Sequence, residues 1–269
     1  MPLIVLASVK SSPGVTTTAL ALAAAWPAPQ RLLLEADPAG GDLGPWLGLP
    51  PSPGLVGLAA AARHGHDGGT IWDHAQQAAG GVHVVVAPVG AEQASACLGT
   101  LTGTGMTSQL AREPGVVVAD CGRLDPGSPA LGIAAQADLT LLVVRPQVSE
   151  LSHVAPRIAG LLGAGLRLGL LLAPAAGRVP AEPAYSAQEI TATLDLPVHA
   201  SLPADPRAAA QLIGSRGSPG RTARPRPLLR AAAALAALLA GQQEPASPQP
   251  ESTLPARDDS PAAEVTAGD

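Results

Sequence analysis

The chain has 269 residues, 46% of them apolar, and a formal net charge of −5, enough for one sizeable domain with a continuous core plus some unstructured polypeptide. The negative balance excludes a general attraction to nucleic acid or to an anionic membrane surface, so any such contact has to be local. Two cysteines, Cys97 and Cys121, are too few for a disulfide framework, and no apolar run approaches ~20 residues without Pro or Gly, which predicts a soluble, cytoplasmic protein with neither transmembrane segment nor export signal.

Short β-branched and Leu-rich runs bounded by turn residues alternate with Ala/Leu stretches of helical character. That alternation predicts an α/β fold, a mostly parallel sheet of about seven strands flanked by helices in three layers. Phe is absent and Tyr185 is the single tyrosine, so the core is expected to consist of small aliphatic side chains that let helices lie close on the sheet. Strands are predicted over 3–7, 31–35, 83–87, 116–119, 139–144, 168–172 and 198–201, and helices over 16–25, 91–101, 149–162, 186–194, 206–213 and 227–240. The last helix carries Leu228, Ala232, Leu235 and Leu239 at helical spacing, an apolar face expected to dock on the sheet. Beyond Gly241 the chain is Pro, Ser, Glu and Asp with little apolar content, so 1–241 reads as one domain and 242–269 as a disordered acidic tail.

The first strand leads directly into Lys10-Ser11-Ser12-Pro13-Gly14-Val15-Thr16-Thr17, which opens the first helix. A strand, a Gly-containing turn and a helix N-terminus together cradle phosphate, because unpaired backbone N–H groups and the positive end of the helix dipole face one concavity. In a working phosphate loop a lysine neutralises the β/γ oxygens and the following hydroxyl binds Mg²⁺. Thr16 supplies the hydroxyl, whereas Val15 stands where the lysine is required and Pro13 removes a backbone donor. Lys10 is the one lysine in the chain.

This octapeptide resembles, without gaps, the deviant Walker A motif Lys-Gly-Gly-x-Gly-Lys-Thr-Thr of the MinD/ParA family of P-loop NTPases. Lys10 takes the place of that family's signature lysine, which reaches across a nucleotide-sandwich homodimer to the partner's phosphates. The run 32–43, with Glu35, Asp37 and Asp42, resembles the family's second strand and Asp-x-Asp turn. The resemblance makes Asp37 the switch I carboxylate that orients the attacking water. The run 116–122 resembles the Walker B strand, with Asp120 holding Mg²⁺ together with Thr16 and Cys121 replacing the usual Thr or Ser. Residues 137–146 and 194–205 resemble later family segments, while Leu171-Leu172-Ala173-Pro174 lacks the Asn with which the family reads adenine.

The resemblance implies ATP and Mg²⁺ as ligands, with Lys10, Ser11, Ser12, Pro13, Gly14, Val15, Thr16 and Thr17 at the nucleotide, Lys10 and Asp37 in catalysis, and a partner protein from partition or from secretion and pilus machinery. Two readings stay open. One is a weak ATPase that switches its partner by hydrolysis; the other is a dimeric pseudo-ATPase scaffold for positioning or assembly, as in the pilus-assembly relatives of CpaE and TadZ type, whose loops are often degraded. A third concerns DNA: Arg207, Arg216, Arg221, Arg224, Arg226 and Arg230 lie between Asp205 and Glu244 with no intervening acid, a basic segment available to phosphate in a chromosome or plasmid partition role. His64, His66 and His74, with Asp67 and Asp73, have no compact ligand spacing and read as a solvated Gly-rich loop. No Gly-x-Ser-x-Gly elbow is present, and Cys121 reads as a buried structural thiol.

Overall fold

A computed structural model describes residues 2–64, 70–78, 80–110, 112, 115–174, 184–214 and 226–242. The elements in chain order are β1 (Leu3–Ser8), α1 (Val15–Ala25), β2 (Arg31–Glu35), α2 (Leu43–Leu47), α3 (Leu55–Arg63), a 3₁₀ turn (Ile71–His74), β3 (Gln76–Gln77), β4 (His83–Val85), α4 (Ala91–Gly103), α5 (Thr107–Leu110) and β5 (Val116–Arg123). They continue through α6 (Leu131–Ala134), β6 (Leu139–Val144), α7 (Val148–Gly163), β7 (Leu168–Leu172), α8 (Ala187–Leu194), β8 (Val198–Ser201), α9 (Pro206–Ile213) and α10 (Pro227–Gly241).

The strands form one sheet in the order β3-β4-β2-β5-β1-β6-β7-β8. Every pairing is parallel except β3 with β4. β1 is buried along its whole length because helices cover both faces, which is why it reads as a continuous apolar run rather than an alternation. One face packs Leu3, Val5, Leu32, Val117 and Leu170 against α3, α4, α7 and α8. The other packs Ile4, Leu6, Leu33, Val118 and Leu171 against α1 and α10. Within α1, Ala19, Ala21, Leu22 and Ala23 are fully buried, so this helix is apolar all round, as one enclosed between sheet and neighbour has to be.

The sheet has eight strands rather than about seven. The addition, β3, pairs Gln76 with Val84 and Gln77 with His83; two glutamines carry no periodicity that sequence reading detects. β4 stops at Val85 because Val86 and Ala87 turn their backbone elsewhere, Val86 accepting from Leu55 N at 2.8 Å and Ala87 donating to Glu35 at 2.7 Å. β5 runs on to Arg123 through an irregularity discussed below. The segment read as a loop near His74 is ordered: Thr70 N and Oγ1 donate to Asp73 Oδ2 at 2.7 and 3.2 Å and open the 3₁₀ turn. His66 and Asp67 lie outside the described residues, and among the described residues no three or more His, Cys, Asp or Glu side chains cluster as a metal-ligand group. The expected tail lies, from residue 243 on, outside the described residues. No helix among them is long and apolar enough to cross a membrane.

Candidate functional site

Parallel strands bring their C-terminal ends to one edge of the sheet, and β1 stands between β5 and β6 there. Strand-order reversal of this kind opens a crevice for ligands. The chain leaves β1 through a sharp bend in which Ser11 has φ 58° and Gly14 φ 95°. An L-residue with a side chain pays about 1–2 kcal/mol for such a left-handed conformation, which accounts for glycine at position 14. Gly14 starts α1 by accepting from Thr18 N at 2.9 Å, and no side chain caps the helix. Its first N–H groups are therefore left to face a ligand.

The bend is clamped from β6. Arg145 Nη2 donates to the Ser12 carbonyl at 3.1 Å, while its Nη1 and backbone N donate to Glu150 at 2.6 and 2.9 Å. Glu150 itself is buried, at the start of α7. Val15 is 7% exposed and belongs to the apolar layer under α1.

The second wall comes from the end of β2. Glu35 is buried and accepts the backbone N–H groups of Asp42, Leu43 and Ala87, each at 2.7 Å. It is a bracket that ties the turn after β2 to the end of β4, a role its place in the motif does not reveal. Burial nevertheless pushes its pKa up against those three donors. Asp37 Oδ1 accepts from Ala39 N at 2.8 Å, and burial raises its pKa as well.

The third wall is the end of β5. β1 and β5 pair in step from Leu3↔Val117 to Leu6↔Asp120, then the register jumps to Ser8↔Arg123. The extra residue on β5 is a bulge, a device that re-aims side chains at strand ends. Gly122 makes it possible, with φ 56° and a position where a Cβ would stand 2.1 Å from the Asp37 carboxyl carbon. Asp120 is buried, with Oδ1 accepting from Gly122 N at 3.0 Å. The Thr16 hydroxyl is near enough to favour its charged form, yet Oδ2 has no hydrogen-bond partner. Burial dominates and pushes the Asp120 pKa up to about 7, with Asp37 and Glu35 adding to the rise.

Together these walls enclose a cleft of about 550 Å³. The bend contributes Ser11, Ser12, Gly14, Val15, Thr16 and Thr17; Asp37, Asp42 and Trp46 face them, and Gly122, Arg123 and Asp125 complete it. Asp120 lies beneath this cleft rather than on its surface. Lys10 is exposed and does not line it. Pro13 instead borders a smaller hollow of about 220 Å³ beside the bend, shared with Thr17, Ala173, Pro174, Leu202 and Asp205.

Of the arginines read as a basic segment, Arg226 lies 3.7 Å from Asp205 Oδ1 in an ion pair, whereas Arg216, Arg221 and Arg224 lie outside the described residues. Cys121 is a buried free thiol whose pKa burial pushes well up. Sequence reading missed Arg123 and Arg145. Their roles depend on a bulge and on a contact 133 residues away in the chain, and neither leaves a local pattern.

Comparison with solved structures defines the fold class. The chain superposes on the cell division ATPase MinD of Pyrococcus furiosus with a TM-score of 0.67 at 20% identity, over 90% of this chain and 99% of that one. For the septum site-determining protein MinD of Pyrococcus horikoshii OT3, complexed with Mg-ADP, the values are 0.68 and 20%, over 88% and 95%. A ParA family ATPase from Chlorobium tepidum TLS gives 0.66 and 16%, over 88% and 98%. No protein-family model matches the sequence, and no curated protein matches it. The fold is that of the MinD/ParA P-loop NTPases.

Proposed function

We propose that this chain is a MinD/ParA-type nucleotide switch that takes Mg²⁺-ATP into the cleft and acts as a dimeric positioning or assembly factor, with slow hydrolysis or none. One observation carries the reading: an open, anion-cupping bend on which Asp37 and Asp120 converge, in which Val15 packs into the core where a phosphate-neutralising lysine would stand. The residues present fit a divalent cation, since Asp120 Oδ2 is buried without a partner and the Thr16 hydroxyl stands beside it. Thr16 and Asp120 would hold Mg²⁺, which supplies positive charge against the β- and γ-phosphates.

Backbone N–H groups at the start of α1 bind the phosphates, and Asp37 accepts a hydrogen bond from, and so orients, the attacking water. Lys10, exposed just after β1, would reach the phosphates bound by a second copy. Loss of a charged contact weakens binding by about 1.5–3 kcal/mol, which millimolar nucleotide overcomes. Hydrolysis suffers more, because it needs positive charge where the transferring phosphoryl group develops negative charge.

Titration calorimetry with ATP and ADP, with and without Mg²⁺, tests the reading, alongside light scattering for the dimer and phosphate release for turnover. Saturable, Mg²⁺-dependent binding with turnover far below one per second is expected. No binding at millimolar nucleotide would reject the reading, and a robust ATPase rate would reject its scaffold half.

A further inference from the structure

The cleft needs a cation that its loop does not provide, and three basic side chains stand near the bend. Lys10 does not line the cleft. Arg145 is committed, with both terminal nitrogens and its backbone N–H holding Glu150 and the Ser12 carbonyl. Arg123 alone among these three lines the cleft, is exposed, and is held by no hydrogen bond or ion pair among the described residues.

The bulge explains its position. The extra residue before Arg123 brings it into register with Ser8 as the last residue of β5, and the backbone is pinned on either side where Leu124 N donates to Ser8 O at 2.9 Å and Ser8 Oγ to the Gly122 carbonyl at 3.4 Å. The other charged groups on the cleft wall are the acids Asp37, Asp42 and Asp125. Asp125 is partly offset from outside by Arg157 at 3.7 Å. Without Arg123 these walls would repel a polyphosphate; with it, a planar guanidinium of five donors faces the bend, suited to gripping phosphate oxygens in pairs.

We propose that Arg123 is the phosphate-binding cation of this cleft, moved from the loop to the bulged end of β5, and that the ligand it selects is a nucleoside polyphosphate. The inference rests on the nucleotide reading above and specifies how the missing charge at position 15 is replaced. It also ties the segment after β5 to the phosphates directly.

Calorimetry of Mg²⁺-ATP compares the wild-type chain with Arg123→Ala, Arg123→Lys and the double variant Arg123→Ala/Val15→Lys, with ligand-free melting temperature as the control for folding. Arg123→Ala is expected to weaken binding about 10- to 100-fold at an unchanged ligand-free melting temperature. Arg123→Lys keeps most of the affinity, and Val15→Lys restores part of it in the alanine background. Equal affinities for wild type and Arg123→Ala overturn this assignment while leaving the nucleotide reading intact. A loss that lysine at position 123 does not rescue also overturns it, and absence of binding by the wild-type chain sinks both.

Discussion

Three acids, Glu35, Asp37 and Asp120, share the buried end of the sheet, and burial raises the pKa of each. For Asp120 the consequence is measurable. The folded chain gives up its proton at about 7 against a reference value of 3.8, so between those limits the folded state keeps a proton that the unfolded state has lost. Stability from this group is full below about pH 4 and falls as pH climbs through 7, by up to about 4 kcal/mol. In metal-free buffer, urea melts of wild type and Asp120→Asn should differ little in pH slope below pH 4, then diverge up to pH 8 with the variant losing less. Parallel curves across the whole range would mean that Asp120 is not the group responsible. The order of Lys10, Gly14, Thr16, Asp37 and Asp120 along the chain was enough to place all of them at one strand edge, since each follows or ends an apolar run. Whether a side chain there faces the ligand or the core was not legible: Val15 and Glu35 turn inward, and Arg123 turns outward only because Gly122 permits the bulge.

The elements around the cleft are joined by two polar clasps whose partners are distant in sequence. Glu35 satisfies three backbone donors from α2, the turn before it and the end of β4. Glu35→Ala leaves those N–H groups buried and unpaired, and a cost of about 3 kcal/mol or more is expected, with amide exchange at Asp42, Leu43 and Ala87 accelerating before that of β1. The Arg145–Glu150 pair holds the bend after β1, and removing the arginine strands a buried carboxylate. Arg145→Ala should cost about 2–4 kcal/mol in urea unfolding, whereas Arg145→Ala/Glu150→Gln should recover part of it. β2, β6, β7 and β8 fall on their predicted bounds because their apolar runs are bounded by turn residues, and α1, α4, α7, α8, α9 and α10 lie within two residues of theirs; β5, the longest strand, runs four residues past the predicted 116–119 through its polar end. α2 and α3 were not predicted, because Gly44, Pro45, Gly48, Gly54 and Gly57 interrupt any helical pattern in the sequence. Tertiary partners impose those helices: Glu35 accepts the N–H of Leu43 at the start of α2, and the Val86 carbonyl accepts that of Leu55 at the start of α3.

At the scale of the molecule, small aliphatic side chains set the spacing of the layers. Ala19 and Ala23 of α1 are wholly buried in the layer shared with the sheet and α10, and Ala21 is equally sealed from solvent, so the helix has no room for a larger residue at these positions. Ala21→Leu is expected to destabilise the chain by about 1–3 kcal/mol, a fall in melting temperature of several degrees for a domain of this size; an unchanged melt would show the layer to be loosely filled. The three-layer architecture with its mostly parallel pairing was legible as alternating patterns, whereas the strand order, set by contacts between segments far apart in the chain, was not. The edge strand β3 was not, because a two-residue ladder has no composition of its own. The scarcity of aromatic rings has one last effect. With three tryptophans in all, one sealed in the core at Trp26 and one set edge-on to His83 at Trp72, the indole of Trp46 on the cleft wall gives the protein a built-in optical gauge, whose emission should shift as the crevice fills and whose silence on titration would report an empty chamber without any label.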